Sequence, residues 1–377
     1  MPANPRIVVA PDKYKGCLSA LEVAQDVGRG LTAELPDAAI DLLPIADGGD
    51  GTVDAAVLAG MHSTTIAVAG PLGDPLTARI AVQGQRCILE LAELCGLRRL
   101  PGGILRPLDC DTRGLGEAIA TALDLGALDI VIGVGGSASQ DAGLGALSGL
   151  GVRVLDARGH PIERLGARNL ARVADLDLAT MHPRVPLGTF RLAADVDAPL
   201  LGPTGAVAVY GAQKGLTPDL APQVEDGLAH VADVLERVTG RRVRDVAGMG
   251  AAGGVPTGLA SVTGASLVSG GDFMIDMLEL PSRIAGADLV VTGEGSFDEQ
   301  TLQGKGPAAV IALAQRSGVP AAVVAGRILL DEAALSALPV LRAWSLVELA
   351  GPEEDPMRDA SILLVRAGRQ VAQVLAT

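Results

Sequence analysis

Short apolar runs, each cut off by proline, glycine or an acidic residue, recur along the chain. IVVA (7–10) ends in Pro-Asp and reads as a buried strand. Ser19-Ala-Leu-Glu22 is a capping box, and Ala20, Ala24, Val27 and Leu31 recur behind it at helical spacing until Pro36 ends the helix. IDLLPI (40–45) is the next strand, followed by DGGDG and an Ala/Val helix to Gly60. The same alternation returns late in the chain. DLVV (288–291) is a strand, GEGSFDEQTLQGKG a polar loop, and a helix starts at Pro307 and stops before Gly318. AAVV (321–324) and LRAWSLVEL read as further strands. Strand–helix–strand units of this length predict parallel pairing with right-handed crossovers.

Between these regions the texture changes. TTIAVAG, LTARIAV and RCILELA (64–92) are joined by PLGDP and GQ turns and read as an antiparallel meander. DIVIGVGG (129–136), GVRVLD and RLAADV each look like a buried strand. The expectation is therefore an α/β protein. A parallel, doubly wound domain of the Rossmann or flavodoxin-like kind is formed by residues 1–62 plus 285–377, with a mixed α/β domain inserted at 63–284. A cleft between two such domains is the default place for a ligand.

Composition narrows the class. Hydrophobic residues make up 49% of the 377, enough for sizeable cores, whereas aromatics at 2% leave few platforms for stacking nucleic-acid bases. With a net charge of −14 and no basic stripe, nucleic-acid and anionic-membrane partners are disfavoured. Cys17, Cys87, Cys95 and Cys110 show no C-x-x-C spacing and read as free thiols in a reducing, cytoplasmic setting. The scattered histidines give no zinc signature. The uncharged stretch 246–271 has the length of a membrane span, but its Gly, Ser, Thr and Pro content reads as loops flanking short buried elements.

The chemistry sits in the loops. Glycine is the outlier at 49 residues, and it falls in clusters, as tight turns and close backbone approach require. Only four of the 30 basic residues are lysine, and each stands at or near a glycine: Lys13 and Lys15 in PDKYKG, Lys214 in AQKG and Lys305 in QGKG. In an open parallel sheet ligands bind beyond the carboxyl ends of the strands. APDKYKG, ADGGDG and TGEGSFDEQ each leave such an end and lead toward a helix, whose N-terminus favours an anion. GVGGSASQDAG (133–143), ADVDAPLLGPTGA (194–206) and GMGAAGGVPTG (248–258) add three more clusters. Without further information these features describe an enzyme that binds anions in a cleft.

PDKYKGCLSA, PIADGGDGT, IGVGGSASQDAG, ADVDAPLLGPTGAVAVYGAQKG, GMGAAGGVPTG and TGEGSFDEQTLQGKGP occur in the order found in bacterial type I glycerate kinases, the glycerate 2-kinases, which the chain resembles over essentially its whole length. Tyr14, Cys17 and the pair Ser296-Phe297 depart from the usual residues of that family without touching a charged motif position. The resemblance implies phosphorylation of D-glycerate at its 2-hydroxyl with ATP and magnesium. Phosphoryl transfer needs in-line alignment and positive charge around the phosphate oxygens. Lys15, Lys305 and Lys214 are the candidate phosphate cations, and Gly135, Gly136 and Ser137 the candidate N–H and hydroxyl donors. Glu294 and Asp298 are candidate magnesium ligands. Asp195 is the candidate base for the glycerate hydroxyl, with Asp47 next. Lys13 or the Gly48-Gly49 pair would take the glycerate carboxylate, and the same motifs add Gly16, Asp141, Gly293 and Gln300 to the binding set. A homo-oligomer is compatible with all of this.

Two rival readings compete. Gly133-x-Gly135-x-x-Ala138 after DIVI, with Asp156 about twenty residues on, fits the dinucleotide fingerprint of an NAD-dependent oxidoreductase. Against it, the helix that should follow carries four glycines, DAGLGALSGLG. A non-enzymatic organic-acid-binding protein would also suit two domains around a cleft.

Overall fold

The computed structural model describes residues 4–45, 48–299, 301–303 and 306–376. The chain forms two compact units. One comprises Met1–Asp47, Asp54–Gly60 and Gly271–Thr377, the other Gly48–Val53 and Met61–Gly270.

The first unit is built on a five-stranded sheet, entirely parallel, in the spatial order Arg342–Ser345, Ala321–Ala325, Leu289–Thr292, Arg6–Val9, Ala39–Leu42. Its inner strands are apolar on both faces because both faces are covered. Ile7, Val9, Leu289, Val291, Ala322 and Val324 pack against Val23, Val27 and Leu31 of helix Ala20–Glu34 and against Leu363, Leu364 and Val371 of helix Ala360–Ala376. The alternate residues Val323 and Ala325 pack with Ile311 of helix Pro307–Arg316 and with Phe297. The predicted capping box is formed: Ser19 Oγ accepts from Glu22 N at 3.2 Å, and Ser19 N donates to the Glu22 carboxylate at 2.8 Å. LRAWSLVEL departs from expectation. Its strand stops at Ser345, and Leu346–Leu349 turns into a short helix.

The second unit carries a six-stranded mixed sheet in the order Ser266–Val268, Thr189–Ala193, Asp129–Gly133, Arg86–Glu90, Pro75–Gln83, His62–Ala69. The last three strands are the expected antiparallel meander, and Arg86–Glu90 then begins a run of parallel pairs. A large apolar core, including Ile80, Leu89, Leu115, Ile119, Ile132, Leu147 and Leu192, lies against this sheet. Arg153–Leu155 pairs with Asp175–Asp177 in a two-stranded sheet apart from the main one. The stretch 246–271 is more regular than its glycines suggest: helix Ala251–Thr263 opens through Ala252, Gly253 and Gly254 at positive φ, and strand Ser266–Val268 follows.

Two boundaries differ from those drawn on the sequence at 62/63 and 284/285. Residues 271–284 group with the first unit, where Arg283 contacts Asp41 at 3.2 Å. Residues 48–53 group with the second, because Gly48 and Gly49 press against the ends of two of its strands.

Candidate active site

In the first unit, two loops leave the carboxyl ends of the adjacent parallel strands Arg6–Val9 and Leu289–Thr292. They are stitched together by Asp12 N donating to Gly293 O at 2.8 Å. Gly293 admits no side chain, since a Cβ there would lie 1.5 Å from Val324 O. Gly295 runs beside Tyr14 and Lys15, with its would-be Cβ 3.2 Å from Tyr14 Cα. Tyr14 is buried and its hydroxyl donates to Val324 O at 2.9 Å, so the polar atom that this residue adds to the loop is satisfied. Burial first, then the charge of Glu294, holds that hydroxyl protonated at any physiological pH.

This places Lys13, Lys15, Gly16, Gly293, Glu294 and Asp298 in one loop cluster. Lys15 and Gly16 are exposed, and Gly16 sits at φ +78 with nothing within 4 Å of where a Cβ would stand. Lys13 N donates to the Asp12 carboxylate at 2.6 Å. Glu294 Oε1 accepts the Thr301 hydroxyl at 2.6 Å, and the same hydroxyl accepts from Asp298 N at 3.0 Å, so Thr301 lies between the two acids. Burial, and after it the charge of Asp298, raises the Glu294 carboxyl above its ordinary range. Asp47, Gln300 and Lys305 lie outside the described residues. Among the described residues no cluster of three or more His, Cys, Asp or Glu side chains is arranged to hold a metal.

In the second unit, the loop after Asp129–Gly133 meets the Gly48–Asp50 segment. Gly135 N donates to Gly48 O at 3.2 Å. Added Cβ atoms would come within 2.5 Å of Gly48 O from Gly133, of Gly49 Cα from Gly135 and of Ala193 O from Gly48. These glycines are there for backbone packed on backbone, a different reason from the ligand approach expected of them. Glu90, at the end of its strand, anchors the same segment by accepting Gly51 N at 3.1 Å and Val53 N at 3.2 Å. It is 4% exposed, and burial pushes its carboxyl up to about 7 against the pull of those two N–H groups, with Glu93 and Asp50 adding to the rise. Gly136 is exposed at φ +74. Among the described residues the N–H groups of Gly136 and Ser137 have no acceptor in the chain. Two successive N–H groups without an acceptor are the raw material of an anion nest.

Behind this opening the loop is sealed. Ser137 Oγ donates to Ala252 O at 3.2 Å and accepts Ser139 N at 3.1 Å. Asp141 is wholly buried, where Thr112 N, Thr112 Oγ1, Gly143 N and Gly145 N all donate to it. It ties the loop to helices Arg113–Asp124 and Leu144–Gly149, so its contacts are with the chain's own donors. Lys214 is placed in a similar way. It is 2% exposed and its Nζ donates to Ser139 O at 2.7 Å, so it cannot reach a phosphate in solvent. Asp195, half-buried just past strand Thr189–Ala193, accepts Ser269 Oγ and Gly270 N, each at 3.0 Å, through Oδ1.

Sequence reasoning passed over Asp12, Glu90 and Thr301. Glu90 had a signal, an acid closing the otherwise apolar run CILE. Thr301 had none, because its role depends on how the loop from Glu294 folds back.

The dinucleotide fingerprint fails on local structure. After Ala138 the chain continues as loop to Gly143, and helix begins only at Leu144. The space that a pyrophosphate would need beside Gly133 and Gly135 is filled by Gly48 and Gly49. Asp156 follows a strand outside the main sheet and holds a surface turn through His160 N.

The family model for the glycerate kinase family matches residues 7–376. The chain is 39% identical to glycerate kinase from Bacillus subtilis (strain 168) over 371 residues, 97% of each chain. It is 37% identical to glycerate 2-kinase from Escherichia coli (strain K12) over 374 residues, 98% of this chain and 97% of that one. Its fold superposes with a TM-score of 0.83 on the crystal structure of a protein from Salmonella typhimurium LT2 provisionally assigned as glycerate kinase 2, at 37% identity, covering 99% of this chain and 98% of that one. These full-length matches fit the motif-bearing loops at the strand ends of both sheets, and the chain belongs to the glycerate kinase family, a family of phosphotransferases.

Proposed function

We propose that this enzyme transfers the γ-phosphoryl group of ATP, with magnesium, to the 2-hydroxyl of D-glycerate. The observation that carries the reading is the family match over residues 7–376 together with loops that present cations or free N–H groups at the carboxyl ends of parallel strands. The choice of hydroxyl is supported by the name of the Escherichia coli relative, glycerate 2-kinase.

The chain's own groups have distinct tasks. Lys15, exposed on its loop, offers a mobile ammonium to phosphate oxygens, and the half-buried Lys13 lies beside it for a phosphate or the glycerate carboxylate. The Gly136 and Ser137 N–H groups bind an anionic oxygen without having to reorganise. Asp195 takes the hydroxyl proton, and its Oδ1 contacts to Ser269 and Gly270 fix the direction of the carboxylate. Glu294 and Asp298 suit magnesium: they are hard oxygen donors, and a divalent cation relieves the mutual repulsion that helps raise Glu294. Magnesium, when bound, offsets charge on the phosphate oxygens.

Incubation of the purified protein with ATP, magnesium and D-glycerate, followed by phosphorus NMR, tests this. The expected product is 2-phosphoglycerate. A 3-phosphoglycerate signal would overturn the choice of hydroxyl, and ATP left unconsumed would overturn the whole reading.

A further inference from the structure

Lys214 is a buried cation with no place in the chemistry just described. It lies behind the Gly136 and Ser137 N–H groups: its Nζ holds Ser139 O at 2.7 Å, three residues from the exposed Gly136. Ser139 and Gln140 are both wholly buried, and neither amide atom of Gln140 finds a partner in the chain. At Ser139 the back of the loop is held by the Lys214 ammonium, beside the Asp141 anchorage two residues on, while Gly136 and Ser137 carry N–H groups without an acceptor.

We propose that Lys214 is a positioning residue for phosphoryl transfer, its ammonium clamping Ser139 O so that the Gly136 and Ser137 N–H groups stay aimed at the transferred anion. This rests on the kinase reading above. The geometry requires an indirect role, because a side chain sealed at 2% exposure reaches the ligand only through the loop that covers it. The clamp is sensitive to pH. Burial pulls the Lys214 ammonium down to about 7, while Asp141 and Cys110, the titratable groups that face it, pull the other way. Asp111, Asp109, and Arg164 at 3.6 Å from Asp111, are the further charged groups around Cys110. As pH rises through about 7 the ammonium loses its proton, and the bond to Ser139 O loses its charge assistance.

The test compares wild type, Lys214→Met and Lys214→Arg with ATP, magnesium and D-glycerate across neutral pH, with circular dichroism to verify the fold. In the wild type, kcat should fall on the alkaline side with a midpoint near 7. In Lys214→Met, kcat should drop by about tenfold or more, with smaller changes in both KM values, and the alkaline limb should vanish. Lys214→Arg should recover part of the rate, again without the limb. A raised KM for ATP at unchanged kcat would make Lys214 a direct phosphate ligand and overturn the proposal. So would an unaltered limb in Lys214→Met. If both variants misfold, the wild type decides alone: with only four lysines in the chain, lysine-selective carbon-13 labelling resolves each ε-carbon. One ε-carbon must titrate in step with kcat, and a kcat limb that no lysine titration accompanies would overturn the proposal. An inactive wild type would instead fail the kinase reading, and this inference with it.

Discussion

The loop Pro11–Leu18 of the first unit and the loop Val134–Gly143 of the second are alike on paper, since each follows a parallel strand and combines glycine with polar residues. Physically they are opposites. The first stands open, with Lys15 and Gly16 exposed and no atom where a side chain on Gly16 would go. The second is packed almost solid, with Ser139, Gln140 and Asp141 buried to the last atom and only Gly135 and Gly136 reaching the surface. A glycine can make room for a ligand or for another stretch of backbone, and a lysine can meet an anion or hold a carbonyl. Which of these happens is decided by tertiary neighbours.

The sharpest way to break this contrast is Gly135→Ala. Its Cβ would sit 2.5 Å from Gly49 Cα, where no rotamer can relieve the clash. Urea unfolding should show a loss of about 3–4 kcal/mol. A variant as stable as wild type would mean that the second loop is as loose as the first. Next in size is Glu90→Gln, which reads the same packing through pH. The folded carboxyl titrates near 7 and the unfolded one near 4.5, so the folded protein holds the extra proton between those values. The Glu90 contribution to stability is therefore complete below about 4.5 and lost as pH rises through about 7. Unfolding at both ends of that window should show wild type losing about 2–3 kcal/mol more than Glu90→Gln as pH increases. Equal slopes would place Glu90 in contact with solvent.

The open loop should answer in activity instead. Lys15→Ala should lower kcat/KM for ATP by about tenfold, or about 1.4 kcal/mol, while shifting stability by less than about 0.5 kcal/mol. Steady-state kinetics alongside unfolding would reveal the reverse pattern if Lys15 were structural. The smallest effect is expected of Gly16→Ala. It has space but a left-handed φ of +78, so it should cost only about 1 kcal/mol by urea unfolding. A loss as large as that of Gly135→Ala would erase the distinction.

What could be read from the sequence follows the same division. Strands such as IVVA and AAVV announced themselves because a buried parallel strand needs an unbroken apolar run, and proline or glycine marks its limits. The capping box at Ser19 is local, closing over three residues, so spelling and structure coincide. The first unit's loop cluster, Lys13 to Gly16 with Gly293 to Asp298, was legible for the same reason: loops at adjacent strand ends must lie together once the pairing is known. The burial of Lys214 and Asp141 was not legible, because their environment comes from elsewhere. The carbonyl that holds Lys214 is 75 residues away, and the Thr112 donors of Asp141 are 29 away. Nothing in YGAQKG or SASQDAG says which side of the loop faces inward.

The sheet of the first unit has a consequence for how the molecule is made. Arg6–Val9 lies between Ala39–Leu42 and Leu289–Thr292, and Arg6 N is bonded to the Asp288 carboxylate 282 positions later. A ribosome adding about 5–20 residues per second needs tens of seconds to deliver that second neighbour. Through this interval the nascent Arg6–Val9 segment has one edge without its native partner, while residues 61–270 are all emerging and can acquire their own core. The strand that carries Lys13 and Lys15 at its exit is thus synthesised long before the sheet around it can be completed.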